Sequence, residues 1–387
     1  MQCKIKDIVK RIKDKINQDE NTLKYYVAGE HFENADYTIK KCGMIEGSTI
    51  GPAFHMHFVP GQVLLMSRNP HLRKAGMVDI EGICSDVSYV CETKNDRIFL
   101  QELLPFLFQC DSFWEQASQR KRGSTNFFLN WSDFEEIEVN IPDISAQYEL
   151  AKILWTAEDT RQNYKKLLQI SNNLIFAKFV ELFGNIGEKK ENWPYKPLSE
   201  CCIVNPSKTK EAADLECSFI AMPSLGDNGE IDTSVIKAYS ELCKGFTYFA
   251  ENDVLFAKIT PCMENGKGAV ATGLKNKIGF GTTELHVLRP IENVSNPYWL
   301  YIITMFNSFR KNAEINMTGS GGQRRVPKTY FDDVKVAVPP IELQDNFAKF
   351  YLLNKQSQIS IQKSIEDIEN VIKNIINENF NKEVSHV

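Results

Sequence analysis

Two stretches of the chain carry one long-period apolar pattern. Toward the end, positions spaced alternately by four and three are Phe347, Tyr351, Asn354, Gln358, Ile361, Ile365, Ile368, Ile372 and Ile375. The positions 197 residues earlier are Leu150, Leu154, Ala157, Arg161, Tyr164, Leu168, Ser171, Ile175 and Lys178. A 3.5-residue period held over roughly 30 residues predicts two long helices paired along a coiled-coil seam. Polar members of such a seam (Arg161, Asn354, Gln358) cost stability and fix register. The remainder has a shorter rhythm. Alternating apolar runs such as 254–259 and 334–338, broken by Gly, Pro and Asn, predict strands. Among them NPYWLYIITMFNSFRKNAEI (296–315) predicts one helix, capped by Asn296 with Pro297 in its first turn.

The 197-residue offset extends beyond the helices. IPDISAQ (141–147) matches VPPIELQ (338–344), and Phe134 meets Phe331. Glu135 and Glu136 meet Asp332 and Asp333, Ile137 and Val139 meet Val334 and Val336, and Phe183 meets Phe380. Upstream, QVLLMSR (62–68) resembles DVLFAKI (253–259), AGMV (75–78) resembles KGAV (267–270), and GICSDVSYV (82–90) resembles GFGTTELHV (279–287). The drift of the offset from 197 to 191 is what insertions in surface loops produce. A period of about half the chain is too long for a solenoid and marks a duplicated domain.

The expected fold is therefore α+β. Two similar mixed α/β domains are separated by two long helices that pair as an antiparallel coiled coil, with a pseudo-two-fold axis. The expected boundaries are a first head at 1–145, a helical spacer at 146–187, a second head at 188–341 and a second spacer at 342–387. With antiparallel helices, each head sits at the N-terminal end of its own helix, at opposite ends of a rod about 50 Å long at ~1.5 Å per residue.

Length and composition narrow the classes. A chain of 387 residues is of two-domain length. Its 45 basic and 50 acidic residues give a net charge of −5. That total does not exclude a nucleic-acid partner, because phosphate contacts follow the clustering of Lys and Arg. Ten scattered cysteines without a C-x-x-C read as reduced thiols in a cytoplasmic protein. The start, MQCKIKDIVKRIKDKI, is charged and helix-patterned, unlike a secretory signal, and no apolar run approaches the ~18 residues of a membrane span.

Three strings, DVLFAKITPCMENGKGAV (253–270), GFGTTELHVLRP (279–290) and TGSGGQRRVPKTYFDDVKVAVPPIELQ (318–344), together with the duplicated architecture, resemble the specificity subunits of type I restriction–modification systems. The resemblance covers essentially the whole length. It implies target-recognition domains that each read half of a bipartite double-stranded DNA sequence. It also implies helices that dock two methyltransferase subunits, with translocating nuclease subunits able to join. S-adenosylmethionine would then be bound by the methyltransferase partner, and this chain would be non-catalytic and hold no cofactor or metal. The first copy departs from the pattern, with QRKRGSTNFFLNW (119–131) in place of the Gly-Gly-Gln-Arg-Arg loop. Half-sites read from one face of the duplex lie about 34 Å apart.

Candidate DNA contacts follow from that reading. In the second head they are Ser320, Gln323, Arg324, Arg325 and Lys328 in and after the glycine-rich loop, where a bare backbone approaches phosphates and Gln323 can pair with an adenine edge. Lys258, Thr260, Asn265 and Lys267 join them from the strand at 254–259 and the loop after it. In the first head the matching candidates are Arg68, Arg73 and Lys74, then Arg120, Lys121, Arg122 and Asn126. The helical seam is assigned to Leu150, Leu154, Tyr164, Leu168 and Ile175, and to Phe347, Tyr351, Ile361, Ile365, Ile368, Ile372 and Ile375. FHMHF (54–58) reads as an alternating strand with exposed imidazoles rather than a metal site. No phosphate-binding glycine motif and no Asn/Asp-Pro-Pro-aromatic turn is present; NPYW (296–299) has one proline and opens a helix. The competing reading is a coiled-coil scaffold whose heads bind proteins without recognising DNA.

Overall fold

The computed structural model describes residues 1–17, 22–33, 36–123, 127–320 and 322–381. The chain divides into two compact units, Met1–Lys166 with Ile361–Val387, and Leu167–Ser360.

The head of the first unit contains a five-stranded sheet in the order Val9–Ile12, Ser88–Thr93, Val63–Met66, Ala75–Val78, Thr38–Ile39. Its second sheet runs Gly43–Met44, Tyr25–Val27, Gly82–Ser85, Phe54–Phe58, with Tyr25–Val27 parallel to Gly82–Ser85. Gln2–Lys4 pairs with Glu138–Asn140. The other unit repeats this plan. One sheet runs Cys202–Val204, Leu285–Pro290, Val254–Ala257, Gly268–Val270. The other runs Ile236–Ala238, Glu216–Ile220, Ile278–Gly281, Thr247–Ala250, again with one parallel pair at the second and third strands. Tyr195–Pro197 pairs with Lys335–Ala337. The duplication seen in the sequence is thus a duplication of strand order and direction.

The run 254–257 has no polar positions because its strand is buried on both faces. Alternation then divides the interior. Val254 and Phe256 point into the core shared with the helices, while Leu255 and Ala257 point into a smaller core between the sheets. Val63 and Leu65 against Leu64 do the same in the first head. The parallel strands approach closely at small residues: a Cβ on Gly82 would lie 2.6 Å from the Tyr25 carbonyl oxygen.

Two helices of 40 residues each, Ile144–Phe183 and Ile341–Phe380, follow the heads. Gly184, at φ +78°, closes the first, a left-handed position that suits a residue without Cβ. In the unit Leu167–Ser360, Ser171 hydrogen-bonds Asn354 and Gln358, and Phe179 and Phe183 pack edge-to-face with Phe347. Numbers rise along one helix as they fall along the other, so the pair is antiparallel. In the unit Met1–Lys166 with Ile361–Val387, Leu150 and Leu154 share a core with Ile372, Ile376 and Phe380. Tyr351 and Ile365 are buried, while Tyr164, Leu168, Ile361, Ile368 and Ile375 are half-buried. At the ends the seam leaves the strict heptad: Phe179 replaces Lys178, and Ile376 is more deeply buried than Ile375. A straight helix drifts about 20° per heptad against a 3.5 repeat, which moves the buried stripe by one position.

One glutamine per unit ties head to helix. Gln147 donates from Nε2 to the carbonyls of Ile98 and Pro142 and accepts at Oε1 from the Leu100 amide, at 2.9–3.0 Å. Gln344 does the same with Val294, Pro339 and the Asn296 amide, at 2.9 Å each. Both side chains are fully buried with donors and acceptor used, as a buried amide requires.

Three local expectations are corrected. The helix-patterned start is a strand, one helical turn (Ile5–Ile8) and a second strand, Val9–Ile12. Ladder bonds to Glu138–Asn140 and Ser88–Thr93 outweigh its weak helical preference. The helix expected over 296–315 begins as foreseen, with Asn296 Oδ1 accepting from the Tyr298 amide at 2.9 Å, but it breaks at Phe306. There the backbone turns extended (ψ 135°) and the ring packs on Phe176 and Phe179. His57 is not an exposed imidazole. It is held between Asp14 (2.7 Å) and Glu81 (2.8 Å), whose hydrogen bonds outweigh burial and raise its pKa.

Candidate nucleic-acid interface

The glycine-rich loop of the second head is laced to the extension of strand Val254–Ala257. Arg325 and Thr318 exchange both backbone hydrogen bonds (2.8 and 2.9 Å), Thr260 N donates to Arg324 O, and Val326 N donates to Lys258 O. Between these ties Gly319 (φ +118°) and Gly322 (φ +74°) take left-handed conformations, and Ser320 and Gln323 are exposed. The first head uses the same lacing. Phe128 and Arg122 exchange both backbone bonds (3.0 and 2.8 Å), Asn69 N donates to Phe127 O, and Leu129 N donates to Ser67 O. The two loops share one hydrogen-bond plan.

Their side chains differ at equivalent places. In the second head, Arg325 binds Glu284 through two hydrogen bonds of 2.8 and 2.9 Å. The hydrogen bonds from Arg325 hold the Glu284 carboxyl below its ordinary range. Burial pushes the neighbouring Lys258 ammonium down, with Glu284 opposing and Arg325 adding to the push. Beneath them His286 donates from Nε2 to Val326 O at 2.8 Å, and burial lowers its pKa to about 4, so it is neutral near pH 7. In the first head the equivalents of Lys258, Glu284, His286 and Arg325 are Ser67, Val87, Tyr89 and Phe128. Tyr89 repeats the histidine's bond, donating to Leu129 O at 2.6 Å. Among the described residues no ionic cluster fills the space, and an open cavity of about 470 Å³ remains, lined by Arg11, Arg68, Asp86, Tyr89, Phe128 and Asn130, among others. Arg11 lies 4.4 Å over the Tyr89 ring and 6.0 Å from that of Trp131, with its Nε buried and without a hydrogen-bond partner among the described residues.

The other candidates divide by what already engages them. Arg73 pairs with Asp111, and Arg122 pairs with Asp133 at 2.9 Å. Lys74 donates to Gly29 O, Lys267 to Met222 O, and Thr260 to Glu264 Oε1. Arg120 caps its own helix at Gln116 O, and Lys121 sits 4.2 Å over the Phe127 ring. Arg324 makes a loose pair with Glu314 at 3.6 Å, both half in solvent. Arg68, Asn265 and Lys328 are exposed. Asn126 lies outside the described residues. The sequence reading missed Arg11. Its only signal was two-residue alternation placing it on the face of Val9, hidden while the segment read as helix.

Among the described residues no group of three or more His, Cys, Asp or Glu is arranged to hold a metal ion, and no helix is long and apolar enough to cross a membrane. All ten cysteines are free.

Residues 190–378 match the model of the type I restriction modification DNA specificity domain. The chain is 39% identical over 159 residues, 41% of its length, to the specificity subunit of the type I restriction enzyme EcoAI of Escherichia coli. It is 34% identical over 195 residues, 49% of its length, to that of EcoEI, also of Escherichia coli. These matches span 27% and 33% of the two relatives. The fold compares along nearly the whole chain with the S subunit of a type I restriction-modification system from M. genitalium, at a TM-score of 0.54 and 12% identity, covering 99% of this chain and 96% of that one. A chain from a structure of complex assembly and conformational transition of the type I R-M system gives a TM-score of 0.57 at 16% identity, covering 98% and 97%. A type I specificity domain over residues 190–378 and an S-subunit fold along nearly the whole length are what this chain shares with the specificity subunits of type I restriction–modification systems.

Proposed function

We propose that this chain selects the DNA sequence on which a type I methyltransferase or restriction complex acts, each head reading one half of a bipartite target. The observation that carries this reading is the pair of heads with one backbone plan and different side chains at the same loop positions. A frame held constant while its reading surface changes is what two dissimilar half-sites demand, and a protein-binding scaffold has no such need.

The long helices seat the methyltransferase subunits in this reading. In the unit Leu167–Ser360, Leu167, Ile170 and Leu174 form an exposed apolar row at helical spacing, and Leu352, Leu353 and Ile359 are exposed on the other helix. S-adenosylmethionine and the chemistry of methyl transfer belong to those partners, restriction subunits join the same assembly, and this chain supplies the choice of site. The helices also set the gap between the half-sites. Inserting four residues into Ile144–Phe183 lengthens it by about 6 Å. Mapping methylated adenines produced by the assembled complex should then show both half-sites unchanged with an altered gap between them. An unaltered motif would contradict the spacing role. Binding to duplex DNA that is absent, or indifferent to salt between about 50 and 200 mM, would return the chain to the scaffold reading.

A further inference from the structure

The cavity of the first head mixes donors with an acceptor. Arg68 stands exposed at its rim, the exposed Asp86 is part of its lining, and the exposed Phe128 forms part of the wall. Arg11 is fixed beside them by its position over Tyr89 and by a bond from Nη2 to the Asp86 carbonyl. Neither Arg11 nor Arg68 forms an ion pair with a carboxylate among the described residues, whereas Arg325 of the other head is neutralised by Glu284.

A phosphate would be drawn by the two guanidinium groups and repelled by the Asp86 carboxylate. The edge of a G·C pair in the major groove satisfies both. Guanine O6 and N7 accept from an arginine fork, and the cytosine N4 amino group donates to a carboxylate. We propose that this cavity reads one G·C pair of the first half-site, with Arg68 donating to guanine, Asp86 accepting from cytosine, and Arg11 as the positioning residue that holds the floor. The proposal rests on the function proposed above and deepens it. The second head has Ile259 where the first has Arg68, so the assignment belongs to one half-site alone.

The test uses the full chain assembled with its methyltransferase subunits, acting on DNA in which each target position is varied in turn. Arg68→Ala should cost roughly 5- to 150-fold in discrimination at a single G·C pair of one half-site and leave the other half-site as strict as before. Arg68→Lys should fail to restore it, because an ammonium lacks the planar two-pronged fork, although it keeps the charge. An equal loss on every target would make Arg68 a phosphate contact and overturn the assignment. Wild-type discrimination at every position in both variants would also overturn it. A wild-type complex with no sequence preference would instead remove the parent reading, and this assignment with it.

Discussion

The two units solve the same packing problem with different polar groups where their helices meet. In the unit Met1–Lys166 with Ile361–Val387, the seam position Arg161 is only 1% exposed and surrounded by carboxylates. It binds Glu158 (2.8 and 3.0 Å), Asp36 (2.5 Å) and Glu369 (2.9 Å). In the unit Leu167–Ser360, Gln358 has no carboxylate partner among the described residues: it donates to Asn354 and Ser171 and accepts from Lys355, which also donates to Asn228 O. A buried amide bonded to a hydroxyl, another amide and a lysine that keeps a second acceptor loses little when replaced. A buried charge inside a ring of opposite charges leaves the ring uncompensated when it goes. The same helix register is therefore held tightly in one unit and loosely in the other.

That difference can be broken by substitution. Arg161→Met should cost about 3–5 kcal/mol in the unfolding of the full chain, because Glu158 and Asp36 remain buried without their partner. Gln358→Leu should cost about 1 kcal/mol or less. Equal losses in urea titrations would erase the contrast. Acid should show it too. Burial pushes the Asp36 carboxyl up, but the charges of Lys165 and Arg161 and the hydrogen bond from Arg161 outweigh it and hold the pKa below the ordinary 3.8. Its contribution is thus complete above about pH 4 and disappears as the pH falls through the lowered value. Arg161→Met should weaken that acid dependence, leaving the part that Lys165 sustains.

The glutamine joints should behave alike where the seams do not. Gln147→Leu and Gln344→Leu each leave a buried amide N–H and two carbonyls without a partner, a loss of about 1–3 kcal/mol for a group so stranded. Similar values for the two would support equivalent joints. A large loss for one and none for the other would separate them. The smallest expected effect concerns the loops. Arg324, only loosely paired with Glu314, should act on phosphate, so Arg324→Ala should reduce the salt slope of DNA affinity by about one. Phe128→Ala, at the place of Arg325 in the other head, removes no charge and should leave that slope unchanged.

What the sequence could show followed the range of each interaction. The seam, the Asn296 cap and the duplication depend on spacing along the chain, so periodicity exposed them. The partners of the basic residues depend on chain crossings. Arg325 and Glu284 are 41 positions apart, and Arg73 meets Asp111 from 38 away, so the string RRVPK looked freer than it is. The break at Phe306 has no Gly or Pro to announce it, since aromatic packing sets it. Arg11 was concealed for a related reason: the pairing partners of its strand lie some eighty residues downstream, at Ser88–Thr93.

The glutamine joint has a consequence for how such a protein changes. Every bond of the Gln344 amide ends on the main chain, so the fit ignores which side chains the mounted domain carries. A foreign domain that completes the same set of two carbonyls and one amide N–H would be carried just as well. A genetic crossover at this joint therefore trades one vocabulary for another while the grammar of assembly stays intact.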